Sequence, residues 1–167
     1  MMNLRIRLYA GVFALFAALC FFSAIPARAQ SMEAKTARLV SLMRDNNYAY
    51  KTTSSPTVFV IHLTGTHLSD VKVVLALGDD EDSDLVIFVT VVEKRRMPAT
   101  ADFRFKLLKA NHEYDQVKIG FDGDDDLSVR ADGSMRLADA VYLKHLVEQI
   151  KSSSDELYGK IQPDLLP

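Results

Sequence analysis

The chain has 167 residues, 49% of them apolar and 25% charged, with 22 acidic against 20 basic residues and one cysteine, Cys20. The formal charge is −2, and an acidic balance without a basic patch argues against nucleic acid as partner, because phosphate binding draws its affinity from clustered Lys and Arg. Lys94-Arg95-Arg96 is the one basic run, too short to outweigh the acids.

At the N-terminus, Arg5 and Arg7 precede an unbroken apolar stretch from Leu8 to Phe22, followed by Ser23-Ala24-Ile25-Pro26 and Ala27-Arg28-Ala29. A positive region, an apolar region and a small-x-small site in that order define a secretory signal peptide, residues 1–29, and place the protein in the periplasm or outside the cell. The competing reading is an uncleaved anchor, since Leu8 to Ile25 is 18 residues and a spanning helix needs about 20. Leu19 before Cys20 stands where lipid modification calls for a small residue. Cleavage after Ala29 removes Arg5, Arg7, Arg28 and the only cysteine, leaving 17 basic against 22 acidic residues and a net charge of −5. The mature chain then has no disulfide, thiol nucleophile or thiolate metal site. Residues 30–167 suffice for one domain that buries roughly two-thirds of its unfolded surface.

Met32 to Asn46 repeats apolar residues at helical spacing, with Asn46-Asn47 as a stop signal. Thr52 to Pro56 is a turn-rich break. Thr57 to Leu63, Val71 to Leu77 and Leu85 to Val92 are β-branched or aromatic over strand length, joined by short polar turns as in an antiparallel meander. Thr100 to Tyr114 returns to helical spacing with Phe103, Leu107, Ala110 and Tyr114 on one face. Gln116 to Phe121 and Leu127 to Arg130 read as a second hairpin around Asp122-Gly123-Asp124-Asp125-Asp126, and Leu137 to Ile161 as a long final helix with Leu143, Leu146, Val147, Ile150, Leu157 and Ile161 on one stripe. The expected fold is α+β: a five-stranded antiparallel sheet with three helices, in the order α-β-β-β-α-β-β-α.

That order resembles the YbjN family, bacterial proteins described as sensory transduction regulators with a type III secretion chaperone-like fold. The sharpest part of the resemblance runs from Leu107-Leu108-Lys109-Ala110-Asn111-His112-Glu113-Tyr114, through the Val117-Lys118-Ile119-Gly120-Phe121-Asp122 and Leu127-Ser128-Val129-Arg130 strands, to Ser154-Asp155-Glu156-Leu157-Tyr158. The resemblance implies a non-enzymatic domain that binds polypeptides and often dimerises. A signal peptide departs from the better-known members and sets this chain apart from a cytoplasmic chaperone or regulator.

Candidate chemistry is sparse. Asp80-x-Asp82-x-Asp84 and Asp122-x-Asp124-x-Asp126 begin like calcium loops. Leu85 and Leu127 stand where the loop needs glycine, and Val91 and Gly133 where it needs a bidentate carboxylate. The acidic runs therefore read as solvated hairpin turns. His62 and His67 flank a strand end without metal-spaced acids, His112 falls at a helix C-terminus where capping is favoured, and His145 lies within the final helix. There is no Gly-x-Ser-x-Gly, and Ser152-Ser153-Ser154 reads as a solvated helix surface. No catalytic residue, cofactor or metal site is assigned.

The third strand has apolar residues on both faces, Leu85, Ile87, Val89 and Val91 against Val86, Phe88, Thr90 and Val92, so both sheet faces call for cover. The first and last helices are expected on one face and the second helix on the other. That short helix is apolar on two sides and leaves surplus surface for a second copy or a partner chain. The expected contact residues are Phe103, Phe105, Leu108 and Phe88. The function these features imply is an exported interaction module, chaperone-like or regulatory; the alternative is a periplasmic small-molecule or ion-binding sensory domain.

Overall fold

The computed structural model describes residues 31–80 and 84–167. The signal-peptide reading of residues 1–29 and position Asp82 of the first acidic turn lie outside them. Helix α1 spans Met32–Asp45, started by the Ser31 hydroxyl, which accepts from the Ala34 N–H at 3.2 Å. It stops where Asn47 turns left-handed at φ 57°. The Asn46 amide donates to the carbonyls of Leu42 (3.0 Å) and Ala140 (2.8 Å), tying the end of α1 to the start of the last helix.

The strands are β1 Tyr50–Thr52, β2 Val58–Leu63, β3 Val71–Leu77, β4 Leu85–Val92, β5 Lys118–Phe121 and β6 Leu127–Gly133, with α2 Ala101–Glu113 after β4 and α3 Ala140–Ile161 after β6. They form one antiparallel sheet in the order β1-β2-β3-β4-β6-β5. The five expected strands become six. Tyr50–Thr52 is only three residues long and carries Lys51, so it has no strand signature of its own. It exists by pairing with β2, and Tyr50 meets Phe59 edge-to-face at 5.7 Å.

Register explains where the core lies. Phe59 pairs with Leu75, Leu75 with Ile87 and Ile87 with Ala131, a cross-strand row in which every member is buried. Against this face α3 lays Leu143, Leu146, Val147, Ile150, Leu157 and Ile161, at i, i+3, i+4 and i+7 spacing, while α1 adds Leu39, Leu42 and Met43. Burial of this kind, at about 25 cal/mol per Å² of apolar surface, is the main stabilising term.

Three expectations are corrected here. Helix α2 does not cover the second sheet face. It lies on the same side as α1 and α3, beyond the sheet edge, with Leu107 and Leu108 beside Ile119 and Phe121, whose partners Val129 and Leu127 are buried on the core face of the sheet. Lys106–Asp164 (2.6 Å) and Glu113–Lys160 (2.8 Å) fasten it to the end of α3 and the turn beyond. Its apolar spacing specified a helix but not which side of the sheet that helix takes. Ser153 and Ser154 face inward between Ile150 and Leu157 and are buried, because the helical period carries positions 153, 154 and 157 to the sheet side. Asp84 is not solvated either: it is buried and pairs with Lys35 of α1 at 2.9 Å.

Candidate functional site

Helix α2 begins at Thr100, whose hydroxyl accepts from the Phe103 N–H, and turns Phe103, Leu107 and Ala110 inward. The same period sends Phe105 and Leu108 outward, 59% and 68% exposed. Phe121, at the end of edge strand β5, is 53% exposed. Three clefts join these residues. The first, about 570 Å³, is lined by Met97, Pro98, Ala99, Phe103, Arg104 and Phe121, with Lys94 and Asp125 at its rim. The second shares Arg104 and Phe121 with it and runs over Leu107, Leu108 and Ile119, and the third shares Leu108 and ends at Phe105, Lys109 and His112. The result is a continuous apolar strip along the α2–β5 seam.

The polar groups around the strip are mostly committed to holding it in place. The Asn111 side chain accepts from the Ile119 N–H at 2.8 Å, so α2 caps an outward-facing donor of the edge strand. At the far end, a hydrogen bond from Lys160 and its charge hold the Glu113 carboxyl below the usual carboxylate value, and the Lys160 ammonium is raised in turn. Lys109 sits 4.8 Å over the Phe105 ring. The second acidic turn is internally engaged: Asp122 accepts from the N–H groups of Asp124 and Asp126, Asp125 pairs with Lys94 at 2.6 Å, and Asp126 accepts from the Lys94 N–H.

Of the four residues expected to contact a partner, Phe105 and Leu108 lie together on the strip. Phe103 is 5% exposed and belongs to the core, and Phe88 sits half-buried on the opposite sheet face. Phe121 and Arg104 were not singled out from sequence. Phe121 had a signal, an aromatic residue ending a short strand before an acidic turn; Arg104 had none.

The histidines are scattered. His62 pairs with Asp70 at 2.9 Å, His67 stacks against Gly159, where an added Cβ would overlap its ring, and His145 meets Gln116 at 3.3 Å. Among the described residues no cluster of His, Cys, Asp or Glu is grouped to hold a metal ion. Among them, too, no helix is long and apolar enough to cross a membrane.

No family model matches this chain, and no curated protein matches it. Solved structures do. The chain is similar to one in the crystal structure of the ExsC-ExsE complex, with 14% identity over 75% of this chain and 91% of that chain at a TM-score of 0.53. It is also similar to one in the heterodimeric ExoU-SpcU complex from the type III secretion system of Pseudomonas aeruginosa, with 14% identity over 76% and 97% of the two chains at a TM-score of 0.49. At this identity the likeness to the first of these is one of α+β fold alone.

Proposed function

We propose that this chain is an exported, non-enzymatic interaction module of the YbjN type, which binds a second copy of itself or a polypeptide partner through the α2–β5 strip. The observation that carries the reading is the contiguous exposure of Phe105, Leu108 and Phe121 on one surface. Large apolar side chains scattered singly need no explanation, but three joined by apolar clefts mark a contact surface. The fold likeness to a chain of a solved protein–protein complex is in keeping with such a role. Export rests on residues 1–29, with cleavage after Ala29 as the reading of Ala27-Arg28-Ala29.

The testing experiment is light scattering on the protein and on Phe105→Glu across a concentration series, with capture of partners from its own compartment. Assembly of the parent, or a captured partner, that Phe105→Glu weakens supports the proposal. A parent that stays monomeric at high concentration, captures no partner and binds no apolar dye overturns it.

A further inference from the structure

The sheet face opposite the helices carries a second pattern, independent of the α2–β5 strip. One cross-strand row reads Lys51, Val60, Val74, Phe88, Arg130, Lys118, each residue paired with the next across all six strands. The neighbouring row continues the apolar centre with Val58, Ala76 and Val86. These central residues are half-buried although no helix among the described residues packs over them, while Lys51, Lys72, Lys118 and Arg130 are exposed. Asp132 lies between Lys118 and Arg130, at 2.8 and 2.7 Å, and offsets only one of their two charges. Lys51 and Lys72 make no ion pair among the described residues. Beside Lys72, its cross-strand partner His62 meets the Asp70 carboxylate at 2.9 Å. The face thus sets four cationic side chains against the two carboxylates of Asp132 and Asp70 around its apolar centre, an excess of positive charge on a chain acidic overall.

The dimensions select an occupant. At about 4.8 Å between strands, the apolar trio Val60, Val74 and Phe88 spans roughly 10 Å and the full row roughly 24 Å. A helix with its side chains is about 10–12 Å across. Such a helix, laid along the strands, puts an apolar stripe on the trio and its flanks over Lys51 on one side and Arg130 and Lys118 on the other. We infer that this face docks an acidic amphipathic helix of a partner polypeptide, apolar along its centre and carboxylate-rich along both flanks, completing a helix–sheet–helix sandwich.

The test uses two labelled helical peptides of about 18 residues with the same leucine stripe, one flanked by Glu and the other by Lys. Binding to the full chain is followed by fluorescence anisotropy. The Glu peptide is expected to bind at least about tenfold more tightly than the Lys peptide, the difference shrinking with salt. The double variant Lys51→Glu/Lys72→Glu, altered only at exposed positions, should lose at least about tenfold of that affinity, while Phe105→Glu leaves it unchanged. Equal or absent binding of the two peptides overturns the inference, as does affinity surviving in the double variant. A double variant that instead changes the oligomeric state makes a second copy the occupant, and one that abolishes only binding to anionic vesicles makes it a membrane; either result also overturns it. Because Phe105 lies on the other surface, failure here and failure of the α2–β5 reading are separately visible.

Discussion

Three backbone N–H groups converge on one carboxylate in α3. Asp155 accepts from Thr66 (2.8 Å), His67 (2.8 Å) and Leu68 (2.7 Å), pinning the β2–β3 loop to the helix. Burial raises its carboxyl, but the three donors and the nearby His67 outweigh that and hold it below the usual carboxylate value. A group depressed in the folded state contributes stability that is present above its ordinary value, about 3.9, and is lost as pH falls through the lower folded value. Stability of the parent should therefore fall with acid below about pH 4, and Asp155→Asn should flatten that slope in urea unfolding series at several pH values. Asp155→Ala should cost at least about 2 kcal/mol, because three donors then lack an acceptor. Gly65 belongs to the same clamp, since any Cβ there would overlap the Asp155 carboxylate. Asp84 is the second such residue: one oxygen pairs with Lys35 and the other accepts from the Met135 N–H at 2.6 Å. Asp84→Ala should destabilise by about 3–5 kcal/mol by leaving the Lys35 charge buried and unpaired. Lys35→Met with Asp84→Asn, which removes both charges and keeps an acceptor for Met135, should recover most of that loss by the same assay. Neither role was legible in sequence, where both aspartates stood in polar company; what makes them structural is a partner 49 or nearly 90 positions away along the chain.

At the scale of elements, the period-3.6 and period-2 patterns were sufficient wherever an element buries one face. The stripe of α3 from Leu143 to Ile161 and the cores of β2, β3 and β4 lie where their spacing put them. Elements that depend on a neighbour were not visible: β1 exists by pairing with β2, and β6 runs on from Arg130 to Gly133 because Asp132 and Gly133 pair with Val86 and Leu85. The start of α3 also moved, from Leu137 to Ala140, because Asp139 caps it by accepting from the Tyr142 N–H at 2.7 Å, leaving Leu137 exposed in the preceding turn. Val147 is fully buried between α3 and the sheet. Val147→Asp should unfold the domain at a cost of several kcal/mol, and circular dichroism melting of the variant is the check. Lys151→Ala, which gives up only a 3.6 Å contact with Glu148, should stay within about 0.5 kcal/mol of the parent.

At the scale of the whole molecule, the question is which apolar surface folding uses and which it leaves over. Two phenylalanines on one helix separate the two uses. Phe103 and Phe105 differ by two positions, about 200° around α2, so one is buried against the core while the other is 59% exposed. The sequence showed that α2 is apolar on two sides but could not say which side was spare, because that depends on α2 settling beyond β5 instead of beneath the sheet. If the spare side serves association, melting temperature becomes concentration-dependent, since a partner that binds only the folded state stabilises it by mass action. The parent should melt higher as its concentration rises a hundredfold, about 2.7 kcal/mol of stabilisation being available at 100 times the dissociation constant. Phe105→Glu should melt as the dilute parent does and show no such dependence. Phe103→Ala should instead lose about 3–5 kcal/mol at every concentration, the cost of emptying a packed aromatic site. Calorimetric melts of the three proteins at two concentrations distinguish the outcomes: if Phe105→Glu lowers the melting temperature at high dilution as much as Phe103→Ala does, the outer face of α2 serves folding and the association surface lies elsewhere.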